Sequence, residues 1–158
     1  MKINEMTYGK NSGLKLYDVK VLFKSKYKGI QYVIVNYGGS HPCAYVEVTG
    51  TKIDECKEFN KLKEKARSKY WFKRNRKKLN EADRSIYCHG GITYSSWRCP
   101  FVHEPKMMDT QTRWYIGWDY AHYDDFVAGL APHKGKKWTT EEIIEECKNV
   151  IENVLSLK

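Results

Sequence analysis

Asp18-Val19-Lys20-Val21-Leu22-Phe23-Lys24-Ser25-Lys26-Tyr27-Lys28, interrupted by Gly29 and resumed by Ile30-Gln31-Tyr32-Val33-Ile34-Val35-Asn36, sets the architecture of this chain. Both runs are rich in β-branched and aromatic residues, which fit a pleated, half-buried surface. The break at Lys28-Gly29 predicts a tight turn between two antiparallel strands. Downstream, Tyr37-Gly38-Gly39-Ser40-His41-Pro42 is dense in breakers and reads as a loop, after which Cys43-Ala44-Tyr45-Val46-Glu47-Val48 alternates as a third strand. The N-terminal third is therefore a β-meander.

Further along, the pattern changes in kind. Phe59, Leu62, Ala66 and Tyr70 recur at helical spacing among charged residues, which predicts a long helix, straight or bent, over Asp54 to Leu79. Ile86 to Ser96 and Arg113 to His122 then read as two more strands around a loop containing Pro100 and Pro105. In the second of these, a period of two places Trp114, Ile116 and Trp118 on one face and Tyr115, Gly117 and Asp119 on the other. Gly129 to Lys137 reads as loop. The last helix has the clearest start: Thr139 as N-cap with Glu142 at the third helical position forms a capping box, and Trp138 with Ile143 a hydrophobic staple. Ile143, Cys147, Val150, Ile151 and Val154 make one apolar stripe that must dock, most economically on the sheet. The expected fold is α+β: a twisted, mainly antiparallel sheet of about five strands, a long basic helix inserted mid-chain, and a C-terminal helix packed on the sheet.

With 158 residues, the chain suits one domain over 1–158. Aromatics at 14%, with 12 Tyr and 5 Trp, exclude a disordered chain. No run approaches the length of a membrane span, and Met1 to Met6 lacks the apolar core of a signal peptide. Five scattered cysteines without a C-x-x-C pair read as reduced thiols rather than a zinc or redox motif. Together these predict a cytoplasmic protein with no membrane association. The net charge of +9 is local: Lys57 to Lys78 carries eleven cations against two glutamates, and the rest of the chain is neutral. Such a helix has the charge to follow a nucleic-acid backbone or an acidic host protein, although most charge runs are solvated faces.

Two segments hold the residue types from which sites are made. In Cys88-His89-Gly90-Gly91-Ile92-Thr93-Tyr94-Ser95-Ser96, paired glycines let backbone amides approach a phosphate, with a histidine and hydroxyls close by. The same turn also serves as a plain strand entry. In Trp114-Tyr115-Ile116-Gly117-Trp118-Asp119-Tyr120-Ala121-His122-Tyr123-Asp124-Asp125, three carboxylates and an imidazole are offered within a few residues, enough for an acid/base pair or, with His89, a metal site. The spacing matches no known metal motif, so no metal and no cofactor is assigned. Aromatic rings crowd both segments, and a planar base stacks on such rings.

The expected site is a pocket for a small phosphorylated nucleotide-type ligand. His89, Gly90, Gly91, Thr93 and Ser95 form its phosphate side. Tyr94, Trp114 and Trp118 stack on the ligand, Asp119 and His122 bond its ribose or base, and Arg113 stands near. Hydrolysis of such a ligand by His89, Asp119, His122 and Asp124 or Asp125 is the alternative.

The His89-Gly90-Gly91-Ile92-Thr93-Tyr94-Ser95 segment, the Ile116-Gly117-Trp118-Asp119-Tyr120-Ala121-His122 segment and the Glu145-Glu146-Cys147-Lys148 stretch resemble a small family of proteins carried by bacteriophages and prophages. The strand Cys43 to Val48 fits the same pattern, whereas Lys57 to Lys78 does not and stands as a local elaboration. The resemblance implies a setting, a phage product in the bacterial cytoplasm, rather than a reaction. By analogy with small phage proteins that sequester nucleotide immune signals, it implies an anti-defence role, with self-association open.

Overall fold

In a computed structural model of the chain, residues 1–51, 86–96, 113–130 and 134–156 are described. The predicted helix over Asp54 to Leu79, with its lysine-rich face, lies outside them. A 3-10 turn, Gly9–Ser12, precedes the meander β1 (Val19–Tyr27), β2 (Ile30–Tyr37) and β3 (His41–Glu47). A three-residue strand, β4 (Tyr94–Ser96), a five-residue strand, β5 (Tyr115–Asp119), and a helix, α1 (Thr140–Leu155), complete the described elements. The fold is mixed α+β. The strands lie in the order β1-β2-β3-β5-β4, and every pairing is antiparallel.

The first hairpin turns on Lys28 and Gly29, both at positive φ, the conformation whose twist matches the strands it joins. In β1 the register slips between Val21 and Phe23, so Leu22 and Phe23 share one face opposite Ile34. This bulge puts Leu22, Phe23 and Tyr27 on the helix side, while Val19 and Val21 before it and Lys24 and Lys26 after it take the other face. The loop read over Tyr37 to Pro42 is tighter than expected: β2 runs through Tyr37, β3 starts at His41, and Pro42 lies inside a strand.

Each face of the sheet buries its own cluster. Leu22, Ile34, Ala44, Val46, Trp114, Ile116 and Trp118 pack against Ile143, Cys147, Val150, Ile151 and Val154 of α1. The helix lies across β1, β2 and β3. Its capping box forms as the sequence predicts: the Glu142 amide donates to Thr139 Oγ1 at 3.2 Å and the Thr139 amide to Glu142 Oε1 at 3.1 Å. Val33, Val35, Cys43, Tyr45 and Tyr115 form the cluster on the opposite face. No helix among the described residues is long and apolar enough to cross a membrane.

The two later strands are shorter than the apolar runs that announced them. Gly90 and Gly91, at φ 69° and 80°, turn the chain before it can pair, so only Tyr94–Ser96 of the Ile86 to Ser96 run is strand. At the other end β5 stops at Asp119, and the chain bends through a turn over Ala121 to Asp125.

Candidate functional site

The register of β3, β4 and β5 brings chemistry to one corner of the sheet. Cys43 pairs with Asp119, and Tyr45 and Tyr94 both pair with Gly117. Directly paired antiparallel residues share a face, so Asp119 projects on the side of Tyr45 and Tyr94. Tyr37 and His41, facing each other across the β2–β3 turn, close the corner. The result is a cleft of about 250 Å³ lined by Tyr37, His41, Cys43, Tyr45, Thr93, Tyr94, Trp118 and Asp119. The glycine in the middle of β5 makes room for its floor, because a Cβ at Gly117 would lie 2.6 Å from the Tyr45 ring. Tyr45 and Tyr94 meet edge to face at 5.3 Å, and Tyr37 leans on His41 at 5.6 Å.

Asp119 is the acid of this cleft. Its Oδ1 accepts the Ala121 amide at 3.1 Å, and its Oδ2 lies 3.4 Å from the donating Thr93 hydroxyl. His122 Nε2 stands 3.4 Å from Oδ1, in Coulombic reach but not aligned to donate, and that buried nitrogen has no hydrogen-bond partner. His41 donates to or accepts from Ser40 Oγ at 2.9 Å through Nδ1. Burial pushes the His41 pKa below its ordinary value, and the nearby Asp119 and Asp125 carboxylates only partly oppose this.

His89 is not among the cleft's lining residues but adjoins it through His122, whose ring meets the His89 ring at 5.2 Å. The His89 Nε2 is 2.6 Å from Asp125 Oδ2, its ring stacks on Tyr120 at 4.8 Å and 7°, and Trp138 packs against it at 4.9 Å. Asp125, 5% exposed, also accepts the His122 amide at 2.9 Å and the Trp138 indole at 2.8 Å. Burial pushes the Asp125 carboxyl up, but these three hydrogen bonds together hold it below the usual carboxylate range. Tyr120, buried and accepting the Trp118 indole at 3.0 Å, has its hydroxyl pKa driven far up by burial. This is a knot that ties the β5 exit to the start of α1.

The sequence-derived site is therefore partly assembled and partly dispersed. Thr93, Tyr94 and Asp119 line one cleft, and His122 sits against Asp119. Three amides of the expected phosphate cradle are already used by the protein. The His89 amide donates to Glu146 Oε1 at 2.5 Å, the Gly91 amide to the Cys88 carbonyl at 3.0 Å, and the Thr93 amide to the Gly117 carbonyl at 2.9 Å. Gly90 serves packing, since any Cβ there would overlap the His122 ring. Ser95 holds the register position opposite Ile116, one place beyond Tyr94.

Trp114 and Trp118, expected to stack on a ligand, are 1% exposed and belong to the core. Their strand parity puts them on the face that α1 packs against, in the core cluster they share with its apolar stripe. Arg113 lines a different cleft, with Lys26, Gln31, Glu47 and Thr49, at the far end of the same sheet face. Among the described residues no three His, Cys, Asp or Glu side chains converge to hold a metal ion, so the group of Asp119, His122, Asp124, Asp125 and His89 does not form one.

Tyr37, His41, Cys43 and Tyr45 were not read as site residues. Tyr37 and His41 fall in the stretch read as loop; the strand of Cys43 and Tyr45 was legible, as was their shared parity, but the pairing of Cys43 with Asp119 is a long-range register that no local pattern carries. Comparison of the chain with family models, with curated proteins and with solved structures finds no match.

Proposed function

We propose that this protein is a binding module that captures the nucleoside part of a small nucleotide-type ligand in the cleft ending at Asp119. The observation that carries the reading is the make-up of that cleft: the rings of Tyr37, Tyr45 and Tyr94, closed at one end by the Asp119 carboxylate and the Thr93 hydroxyl. Tyrosine rings offer faces and edges to a base, each base–ring contact contributing about 1–3 kcal/mol. A carboxylate accepts hydrogen bonds from a ribose diol or an exocyclic amine and thereby orients the ring. At about 250 Å³ the space lies just under the usual range of about 300–1,000 Å³ for small-molecule sites, which suits one nucleoside rather than a dinucleotide. Phosphates of such a ligand lie outside the cleft, because the His89, Gly91 and Thr93 amides are spent and Glu146 stands beside them.

Capture rather than turnover is favoured by the way the titratable groups are used. His89 is held by Asp125 and enclosed by Tyr120 and Trp138, which leaves it a positioning role in the fold. The motif resemblance to phage proteins adds a setting to the proposal: a bacterial cell in which the sequestered nucleotide is a host immune signal. Calorimetric titration with the four ribonucleosides, their monophosphates and cyclic dinucleotides tests it. At least one nucleoside gives saturable heat, returns intact from the denatured protein, and binds at least about tenfold more weakly to Asp119→Asn. Absence of heat with every member of the panel removes the reading, and recovery of a converted ligand replaces capture with hydrolysis.

A further inference from the structure

We infer that the Asp119 cleft selects for positive charge, so that the ring it holds is a cationic or N-alkylated heteroaromatic ring and an anionic ring is rejected. The inference deepens the nucleoside reading and rests on the same cleft. Its first support is the charge inventory. The cleft has one carboxylate, Asp119, and no Lys or Arg among its described lining residues. The imidazole in the lining, His41, has its pKa held down by burial and so is neutral in mildly alkaline solution. Among the described residues neither Asp119 oxygen has a short charged partner: Oδ1 receives the Ala121 amide at 3.1 Å with His122 Nε2 at 3.4 Å, and Oδ2 faces the Thr93 hydroxyl at 3.4 Å.

The second support is the kind of ring that surrounds this charge. Tyr37, Tyr45 and Tyr94 carry negative potential over their faces, which attracts a cation and repels an anion. Tyrosine rings and a carboxylate lining one small space favour the same sign of charge, with Tyr37 and Tyr94 the more exposed rings and Tyr45, 5% exposed, behind them. A neutral ring gains only stacking there, a cationic ring gains stacking and both electrostatic attractions, and a carboxylate- or phosphate-bearing ring loses on both counts.

Nicotinate, nicotinamide and 1-methylnicotinamide test this directly, because they share one pyridine ring and are respectively an anion, a neutral molecule and a cation. Each is titrated into the full chain at pH 8, above the ordinary imidazole range, and at low salt, following the amide NMR signals of Thr93, Tyr94 and Asp119. The expected order is 1-methylnicotinamide tightest, nicotinamide about tenfold weaker, and nicotinate weakest, the step being of the size that a partly desolvated cation–ring contact gives. Asp119→Asn compresses the series to within about threefold, and so does raising the salt in the unmodified protein, which keeps the test informative should the variant fail to fold.

A flat series, a reversed order, or no movement of the cleft signals with the cation overturns the inference. An ordered series alongside nucleosides that give no heat removes only the nucleoside reading. Nucleosides that bind beside a flat series remove only the charge preference.

Discussion

Asp125 and Gly117 show how much of this corner rests on single residues. The Asp125 carboxylate is the acceptor for a ring nitrogen, a backbone amide and an indole at once. Replacing it by Asn removes charge from three donors that stay buried, and Asp125→Asn is expected to cost about 3 kcal/mol in urea denaturation. The sign of its pH dependence follows from the depressed pKa. The carboxylate contributes stability above its unfolded pKa of about 3.9, and that contribution is lost as pH falls through the lower folded value, so the variant's stability curve is flatter at acid pH.

His41 acts at milder acidity. Its folded pKa lies below the unfolded value of about 6.5, so its contribution is complete above pH 6.5 and declines as pH falls through the folded value. His41→Gln should flatten the stability profile measured from pH 6.5 downward. At Gly117 the constraint is space: a methyl group meets the Tyr45 ring and the Ala44 carbonyl, at 2.6 and 2.9 Å. Gly117→Ala is expected to destabilise the sheet by about 1–3 kcal/mol and to weaken nucleoside binding as Tyr45 is pushed into the cleft, a change visible in the same calorimetric titration.

Among the elements, α1 and β2 were the most legible. The capping box of α1 depends on residues three positions apart, and its stripe on helical spacing, both local properties that neighbours did not override. Thr139→Ala should lower stability by about 1 kcal/mol, as measured by thermal unfolding, because two amides at the helix start lose their acceptors' geometry together. Val150→Ala, beneath the sheet, should cost about 2–3 kcal/mol through lost burial and the cavity left behind. The short strands β4 and β5 were legible as apolar runs but not in extent. Their ends are set by the Gly90-Gly91 turn and the bend after Asp119, where backbone amides turn to side chains, that of His89 to the distant Glu146 and that of His122 to Asp125 in the same bend. The glycine pair looked like a ligand cradle because its sequence reports backbone freedom but not where the freed amides go.

At the scale of the whole molecule, the sheet divides the work between its faces. On one face α1 packs across β1, β2 and β3 and joins Trp114, Ile116 and Trp118 in one core cluster, and the other ends in the cleft of tyrosines around Asp119. Strand parity in β5 separated these two sets from sequence alone. It did not reveal that the tryptophan side is buried, which turns the most conspicuous rings of the chain into core and leaves Tyr37, Tyr45 and Tyr94 to line the cleft. Nor did the clustering of His89, Asp119, His122 and Asp125 in sequence reveal how they are joined: His122 faces Asp119 at the cleft and meets the ring of His89, whose nitrogen Asp125 holds.

The measurement that tests the central claim most directly is a residue-by-residue NMR titration with the nucleoside that gives calorimetric heat. The account predicts saturable shifts confined to Tyr37, His41, Tyr45, Thr93, Tyr94 and Asp119. Shifts centred instead on His89, Gly90 and Gly91, or on Lys26 and Arg113 at the far end of the sheet, would contradict it.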